Sequence, residues 1–139
     1  MVTRPLLSAL LLLILLPAGA VQAQGAVGTM ETVPSAAMPA PYDAQLSKLS
    51  EVLGAVHYLR NLCADAPEPQ WRKAMQDLIA AETANEPARQ EQFVAAFNRG
   101  YRGFASVHST CTASAREAGE RYRNEGATLV TEITTRFGN

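Results

Sequence analysis

The apolar side chains between residues 93 and 111 repeat with the period of an α-helix. At about 100° per residue they share one narrow stripe, which consists of Phe93, Phe97, Gly100, Phe104, His108 and Cys111. Three of the chain's four phenylalanines lie on this stripe, as expected of a helix that packs at the centre of a fold. The pattern therefore predicts one long helix that continues to Cys111.

Helical spacing marks three further segments, so no strand is expected. Apolar residues predict helices from about 44 to 62, from about 70 to 83, and from Ser114 to about Phe137, while the helix that ends at Cys111 starts near Pro87. The connections are short, which favours antiparallel neighbours. The predicted fold is all-α, an up-down-up-down antiparallel bundle of three long helices and one shorter helix. Its first and third helices run in the same direction.

Two cysteines, Cys63 and Cys111, follow the first and the third predicted helix. In this topology both cysteines lie at the same end of the bundle. Two cysteines in an exported chain most often form one disulfide, so we expect a Cys63–Cys111 bridge. The alternative of a metal site that also uses His57 and His108 is disfavoured, because the spacing is not that of a zinc site and oxidised cysteines are not thiolate ligands.

The N-terminal residues have the pattern of a secretory signal peptide. Arg4 is followed by a long apolar run and by the small-x-small sequence Val21-Gln22-Ala23, which predicts cleavage after Ala23. An uncleaved membrane anchor is the alternative. Residues 24–42 are rich in Ala, Pro and Gly, which predicts a flexible tether before a helical domain at 43–139. The expected location is the periplasm, with no membrane insertion once the leader is removed.

The charge balance excludes some functions. The chain has 12 basic and 13 acidic residues and a formal net charge of −1. Without a dense basic surface, binding to nucleic acid or to an anionic membrane is not expected. No motif for nucleophilic catalysis, paired-carboxylate chemistry, haem attachment or metal binding is present, so we predict no catalytic, cofactor-binding or metal-binding residue.

Arginine and tyrosine side chains on the third and fourth helices form a candidate interaction patch. Both residue types are enriched at protein interfaces, and arginine binds carboxylates or phosphates through two parallel hydrogen bonds. The predicted patch consists of Arg99, Tyr101, Arg102, Arg121 and Arg123.

Arg60 is the exceptional residue of the first helix, because the helical phase turns it toward the core. A buried guanidinium requires a carboxylate partner. We expect that partner early in the fourth helix, at Glu117 or Glu120, in a structural ion pair.

Several segments together resemble a known family. They are residues 51–63 (EVLGAVHYLRNLC), residues 97–104 (FNRGYRGF), Thr110-Cys111, and the C-terminal stretches RYRNEG and EITTRFGN. These segments are similar to a family of small exported alphaproteobacterial proteins that is known as a domain of unknown function. The resemblance covers the chain from about Tyr42 onward. It implies export and a shared helical domain, and it implies no reaction.

Three hypotheses for function remain. The leading one is a non-enzymatic exported domain that binds or scaffolds another component of the cell envelope. The second is a small-ligand carrier with a cavity between the helices near Gly100 and Gly126. The third is a weak hydrolase that uses His57 or His108, which requires one ring to be exposed in a cleft with a carboxylate or hydroxyl in hydrogen-bond reach.

Overall fold

A computed structural model describes residues 38–138, and within this range the secondary structure consists of helices alone. The four helices are α1 (Asp43–Cys63), α2 (Gln70–Glu82), α3 (Pro87–Ala105) and α4 (Ala113–Phe137). The predicted all-α class is confirmed. The predicted signal peptide and most of the predicted tether lie outside the described residues.

Helix α1 is the centre of the fold, and the other three helices all pack against it. Asp43 at the start of α1 is ion-paired with Arg89 at the start of α3. At the opposite end, Cys63 is bonded to Cys111, which follows α3. Helices α1 and α3 therefore run parallel, as the predicted topology requires.

Helix α4 packs on α1 in the antiparallel direction. Lys48 near the start of α1 is ion-paired with Glu125, and Arg60 near its end is ion-paired with Glu120. The apolar side of α1 is enclosed between α2, α3 and α4, because its stripe is wide enough to contact several helices. The large buried side chains of the domain are Leu46, Leu49, Val52, Val56, Leu59, Met75, Phe93 and Phe97.

Two glycines bring the backbones of α1 and α3 into direct contact. A Cβ atom on Gly54 would lie 1.9 Å from the carbonyl oxygen of Phe97, and one on Gly100 would lie 1.9 Å from that of Glu51. Any side chain at either position would therefore overlap with the facing helix. Gly103 differs from both, because a Cβ atom there would meet nothing within 4 Å.

Helix α3 is shorter than the sequence predicts. It ends at Ala105, so the expectation of a continuous helix to Cys111 is wrong. The hydroxyl of Ser106 donates to the Gly103 carbonyl at 2.7 Å, a local bond that competes with further helical turns. The hydroxyl of Tyr58 on α1 also donates to the carbonyl of His108. These bonds hold residues 106–112 as a corner between α3 and α4.

An arginine secures the end of the domain that lies opposite the disulfide. The Arg89 side chain is only 14 % exposed and its Nη2 lies 2.6 Å from Oδ1 of Asp43, whose side chain is 7 % exposed. Nη1 of Arg89 donates to Glu86 at 3.0 Å and also to the Glu82 carbonyl. The hydrogen bonds with Asp43 raise the pKa of Arg89 above its ordinary value. One guanidinium thus joins α1, α3 and the end of α2.

The Arg89→Met variant is expected to lose about 2–3 kcal/mol of unfolding free energy, because it leaves the buried Asp43 carboxylate without its cation. Urea unfolding followed by circular dichroism measures the loss. Arg102→Met on the exposed side of the same helix is the matched control and should change stability by less than about 0.5 kcal/mol. Equal losses in the two variants would contradict the role of Arg89.

Candidate binding groove at the disulfide end

The disulfide connects the last residue of α1 to the segment that precedes α4. The two Cα atoms are 4.9 Å apart, and 48 positions separate the two cysteines in sequence. The predicted Cys63–Cys111 bridge is confirmed. Because the helices run up-down-up-down, this one bond holds the ends of α1 and α3 and the start of α4 together.

The connection between α1 and α2 folds back onto α1 through Asn61. Its Oδ1 accepts from the Glu68 amide at 2.9 Å, and its Nδ2 donates to the carbonyl oxygens of His57 at 2.8 Å and Glu68 at 3.3 Å. Pro67 and Pro69 prevent α1 from continuing and limit the conformations of this segment. The connection therefore has a defined shape although it lacks secondary structure.

Arg60 is held by two carboxylates. Its Nε and Nη2 donate to Glu68 at 3.2 and 2.9 Å, and its Nη1 donates to Glu120 at 3.1 Å. Trp71 adds a 2.9 Å bond from Nε1 to Glu68. The hydrogen bonds from Arg60 and then Trp71 lower the pKa of Glu68, which favours the charged form of this carboxylate.

The structure places one of the two predicted carboxylates, Glu120, beside Arg60. Within residues 38–138, Glu117 forms no ion pair with Arg60. The Arg60 side chain is 39 % exposed, so the expectation that it is turned into the core is wrong. Glu68 was missed because its approach depends on how the α1–α2 connection folds back, which helical spacing does not describe.

Trp71 lies in the first turn of α2 and is partly exposed. Its indole N–H is directed to Glu68, which keeps the ring at the edge of the fold. Met75 is the buried residue of α2, with 4 % exposure.

Between the α1–α2 connection and α4 lies a groove of about 580 Å³. Its apolar lining includes Leu59, Cys63 and Ala115, together with buried Gly119. Residues 64–68 form part of the lining, and charged side chains contribute to it from α1 and from α4, namely Arg60, Arg116 and Glu120. The groove therefore combines an apolar surface with charges of both signs.

The four helices and the groove lie within a segment that matches a known protein family. A family model described as "Protein of unknown function (DUF2385)" matches residues 41–137. The chain belongs to the DUF2385 family. No curated protein and no solved structure matches the chain. The family match spans the four helices and both cysteines, and it carries no activity with it.

Two arginines of the predicted interaction patch in this DUF2385 domain are engaged with carboxylates. Arg99 lies 3.4 Å from Glu51 on α1, and Arg123 lies 3.0 Å from Glu120 on its own helix. Glu120 is also the partner of Arg60, so Arg123 belongs with the charges around the groove. Arg99 instead lies where α3 faces α1.

The other members of the predicted patch differ from one another. Arg102 is exposed, and the guanidinium carbon of Arg121 lies 5.9 Å from the ring centre of Tyr122. Tyr101 is partly buried and packs edge-on against Tyr58, with ring centres 5.1 Å apart. The role of these residues in partner binding stays a prediction.

Neither histidine has the surroundings that the hydrolase hypothesis requires. His57 Nδ1 lies 3.1 Å from the side-chain amide of Asn61, and Nε2 lies 3.4 Å from Arg72. Burial, with the positive charge of Arg72, lowers the pKa of His57 and favours the neutral ring. The ring of His108 stacks on Phe104. Within residues 38–138, no carboxylate or hydroxyl is hydrogen-bonded to either ring.

The cavity of the carrier hypothesis is filled. The space beside Gly100 is occupied by the backbone of α1. A Cβ atom on Gly126 would already lie 3.1 Å from Cγ1 of Val52. The prediction of a ligand cavity near these two glycines is therefore wrong, because the glycines serve close packing of α3 and α4 against α1.

The described part of the chain lacks two further features. Among residues 38–138, His, Cys, Asp and Glu side chains form no group of three or more that could bind a metal ion. In the same range, none of the helices has the length and the apolar character needed to span a membrane.

Proposed function

We propose that this chain is an exported, non-enzymatic helical domain that binds a protein component of the cell envelope through the groove at the disulfide end. The ligand we infer is an extended peptide segment of that partner. The observation that carries the proposal is a preformed groove bordered by the backbone amides of residues 64–66, which donate no hydrogen bond within residues 38–138.

The backbone of the groove supports a peptide ligand. Ala64 is extended, with φ −84° and ψ 147°. Within the described residues, the amide groups of Ala64, Asp65 and Ala66 donate no hydrogen bond. Backbone amides at a surface normally bond to water or to a ligand, and the carbonyl oxygens of an extended peptide can accept hydrogen bonds from such amides.

The rigidity of the groove also supports binding. Its lining is held by the disulfide, by the Asn61–Glu68 hydrogen bonds and by the ion pairs of Arg60. A site that is already ordered loses less entropy when it binds, so affinity is higher for the same contacts.

Export is supported by the sequence and by the disulfide. The N-terminal pattern is that of a leader that is cleaved after Ala23. Disulfides persist in oxidising compartments and are rare where thiols are kept reduced. A periplasmic envelope partner follows from that location.

The test of binding places a photoreactive amino acid at one of two exposed alanines. Ala66 lies in the groove lining, and Ala127 lies on the outer side of α4. After irradiation of intact cells, we expect the Ala66 chain to give a discrete adduct with one envelope protein and the Ala127 chain to give none. The same adduct from both positions, or none from Ala66, would contradict the proposal.

The partner identified in this way allows a measurement of affinity with purified proteins. Ala66→Trp should fill part of the groove and raise the dissociation constant about tenfold or more, which corresponds to one well-packed contact. Ala127→Trp adds the same side chain on the outer side and should leave the dissociation constant unchanged. Equal affinities for the two variants would remove the groove as the binding site.

A further inference from the structure

The two sulfur atoms of the disulfide have different surroundings. Cys63 lines the groove. The sulfur of Cys111 lies 2.9 Å from Nη1 of Arg116. Both cysteines are partly exposed.

This difference matters for thiol–disulfide exchange. In that reaction a thiolate attacks one sulfur of a disulfide, and the other sulfur leaves as a thiolate. A leaving thiol with a lower pKa leaves faster, and a neighbouring arginine lowers the pKa of a thiol because it stabilises the thiolate. The cation beside Cys111 therefore favours this sulfur as the leaving group.

The charge of Arg116 is not neutralised by a carboxylate. Within residues 38–138, the ion pairs near the groove involve Arg60 and Arg123, with Glu68 and Glu120 as their partners. Arg116 forms none in that range, and the contact of its guanidinium is the Cys111 sulfur. Its positive charge is thus available to a thiolate that forms at Cys111.

We propose that the Cys63–Cys111 bond is a thiol–disulfide exchange site, in which an external thiolate enters through the groove and attacks Cys63. A new bond forms between the external sulfur and Sγ of Cys63, and the Cys63–Cys111 bond breaks. The electron pair of that bond goes to Sγ of Cys111, which becomes a thiolate beside Arg116. The co-reactant is a small thiol or a dithiol.

A dithiol completes the reduction. Its second thiolate attacks the external sulfur of the mixed disulfide, closes a disulfide within the reductant and releases Cys63 as a thiolate. The protein gains two electrons, and the dithiol loses two. The corner of residues 106–112 then loses its covalent link to α1, at the side of the groove that Arg116 occupies.

The first experiment identifies the attacked sulfur without any substitution. The purified oxidised chain is incubated with glutathione, quenched with acid, and alkylated so that free thiols are labelled. Peptide mapping by mass spectrometry is expected to find glutathione on Cys63 and the alkyl group on Cys111. Glutathione mainly on Cys111, an even distribution, or no adduct would overturn the proposal.

The second experiment tests Arg116. The rate of reduction by dithiothreitol is measured for the oxidised chain and for Arg116→Gln. We expect Arg116→Gln to react at about one third of the rate or less, because a leaving thiol of higher pKa departs more slowly. Arg116→Lys keeps a positive charge and should recover most of the rate. Arg136→Gln, at the opposite end of the same helix, should react like the unsubstituted chain.

The direction of the effect separates chemistry from stability. If Arg116 served only to hold the fold together, Arg116→Gln would loosen this end of the domain and reduction would become faster. A rate that is unchanged or higher would therefore overturn the role of Arg116. Both experiments use small thiols alone, so their outcome is independent of whether the groove also binds an envelope partner.

Discussion

Gly100→Ala is expected to lower the free energy of unfolding by about 3 kcal/mol, near the upper end of the usual range for overpacking. The added methyl would lie 1.9 Å from the carbonyl oxygen of Glu51. The atoms it meets belong to the backbone of α1, so no side-chain rotation relieves the overlap and the two helices must separate. Gly54→Ala should behave in the same way, because it faces the Phe97 carbonyl at the same distance.

Gly103→Ala is the matched control on the same helix. A Cβ atom at Gly103 meets nothing within 4 Å, and alanine has the higher helix propensity. This substitution should therefore raise the unfolding free energy by about 0.5–1 kcal/mol. Urea unfolding of the variants distinguishes the two effects by sign. A stabilising effect of Gly100→Ala would show that the backbones of α1 and α3 are not in contact.

The second large effect is expected from loss of the disulfide. The Cys63→Ser, Cys111→Ser double variant should lose roughly 4 kcal/mol of unfolding free energy, the chain-entropy value for a loop of 48 residues. The physical reason is that the bond restricts the unfolded chain, so its removal makes unfolding more favourable. For a domain of this size, such a loss is a large fraction of the total stability.

Reduction provides the control for the double variant. The unsubstituted chain should show the same loss after reduction and alkylation, whereas the double variant should not respond to reductant. Loss of the bridge should increase the rate of amide hydrogen exchange more at residues 106–112 than at the Gly54–Gly100 contact. The reason is that the corner depends on the bridge and the contact does not. Equal unfolding midpoints for the oxidised and reduced chains would contradict this prediction.

The helical periodicity was enough to predict most of the fold. Burial of Phe93 and Phe97 on one side of α3, and of Leu46 and Leu49 on α1, follows from a repeat of about 3.6 residues. Because the connections are short, successive helices run in alternating directions, and the two cysteines therefore lie at the same end of the bundle. These features depend on local spacing and chain connectivity, which are both properties of the linear chain.

The groove could not be predicted in the same way. It depends on the fold of residues 64–68, which have no helical period, and on Arg60 meeting Glu68 across that turn. The Asp43–Arg89 pair at the other end was also missed, since 46 positions separate its members. Pairing between side chains of different helices depends on how each helix is rotated about its axis and on the angle at which the helices cross. Neither quantity can be deduced from the spacing of polar residues in the sequence.

The end of α3 shows the same division. The stripe through Phe104 and His108 continues to Cys111, and the helix nevertheless ends at Ala105. Hydrogen bonds from Ser106 and from Tyr58 on α1 stabilise the corner instead. The sequence alone therefore determined the number, order and direction of the helices and the pairing of the cysteines, because these follow from periodicity and connectivity. Only the tertiary structure decided where α3 stops, that Glu68 pairs with Arg60 and Asp43 with Arg89, and where the groove lies. These features depend on contacts between separate elements of the fold.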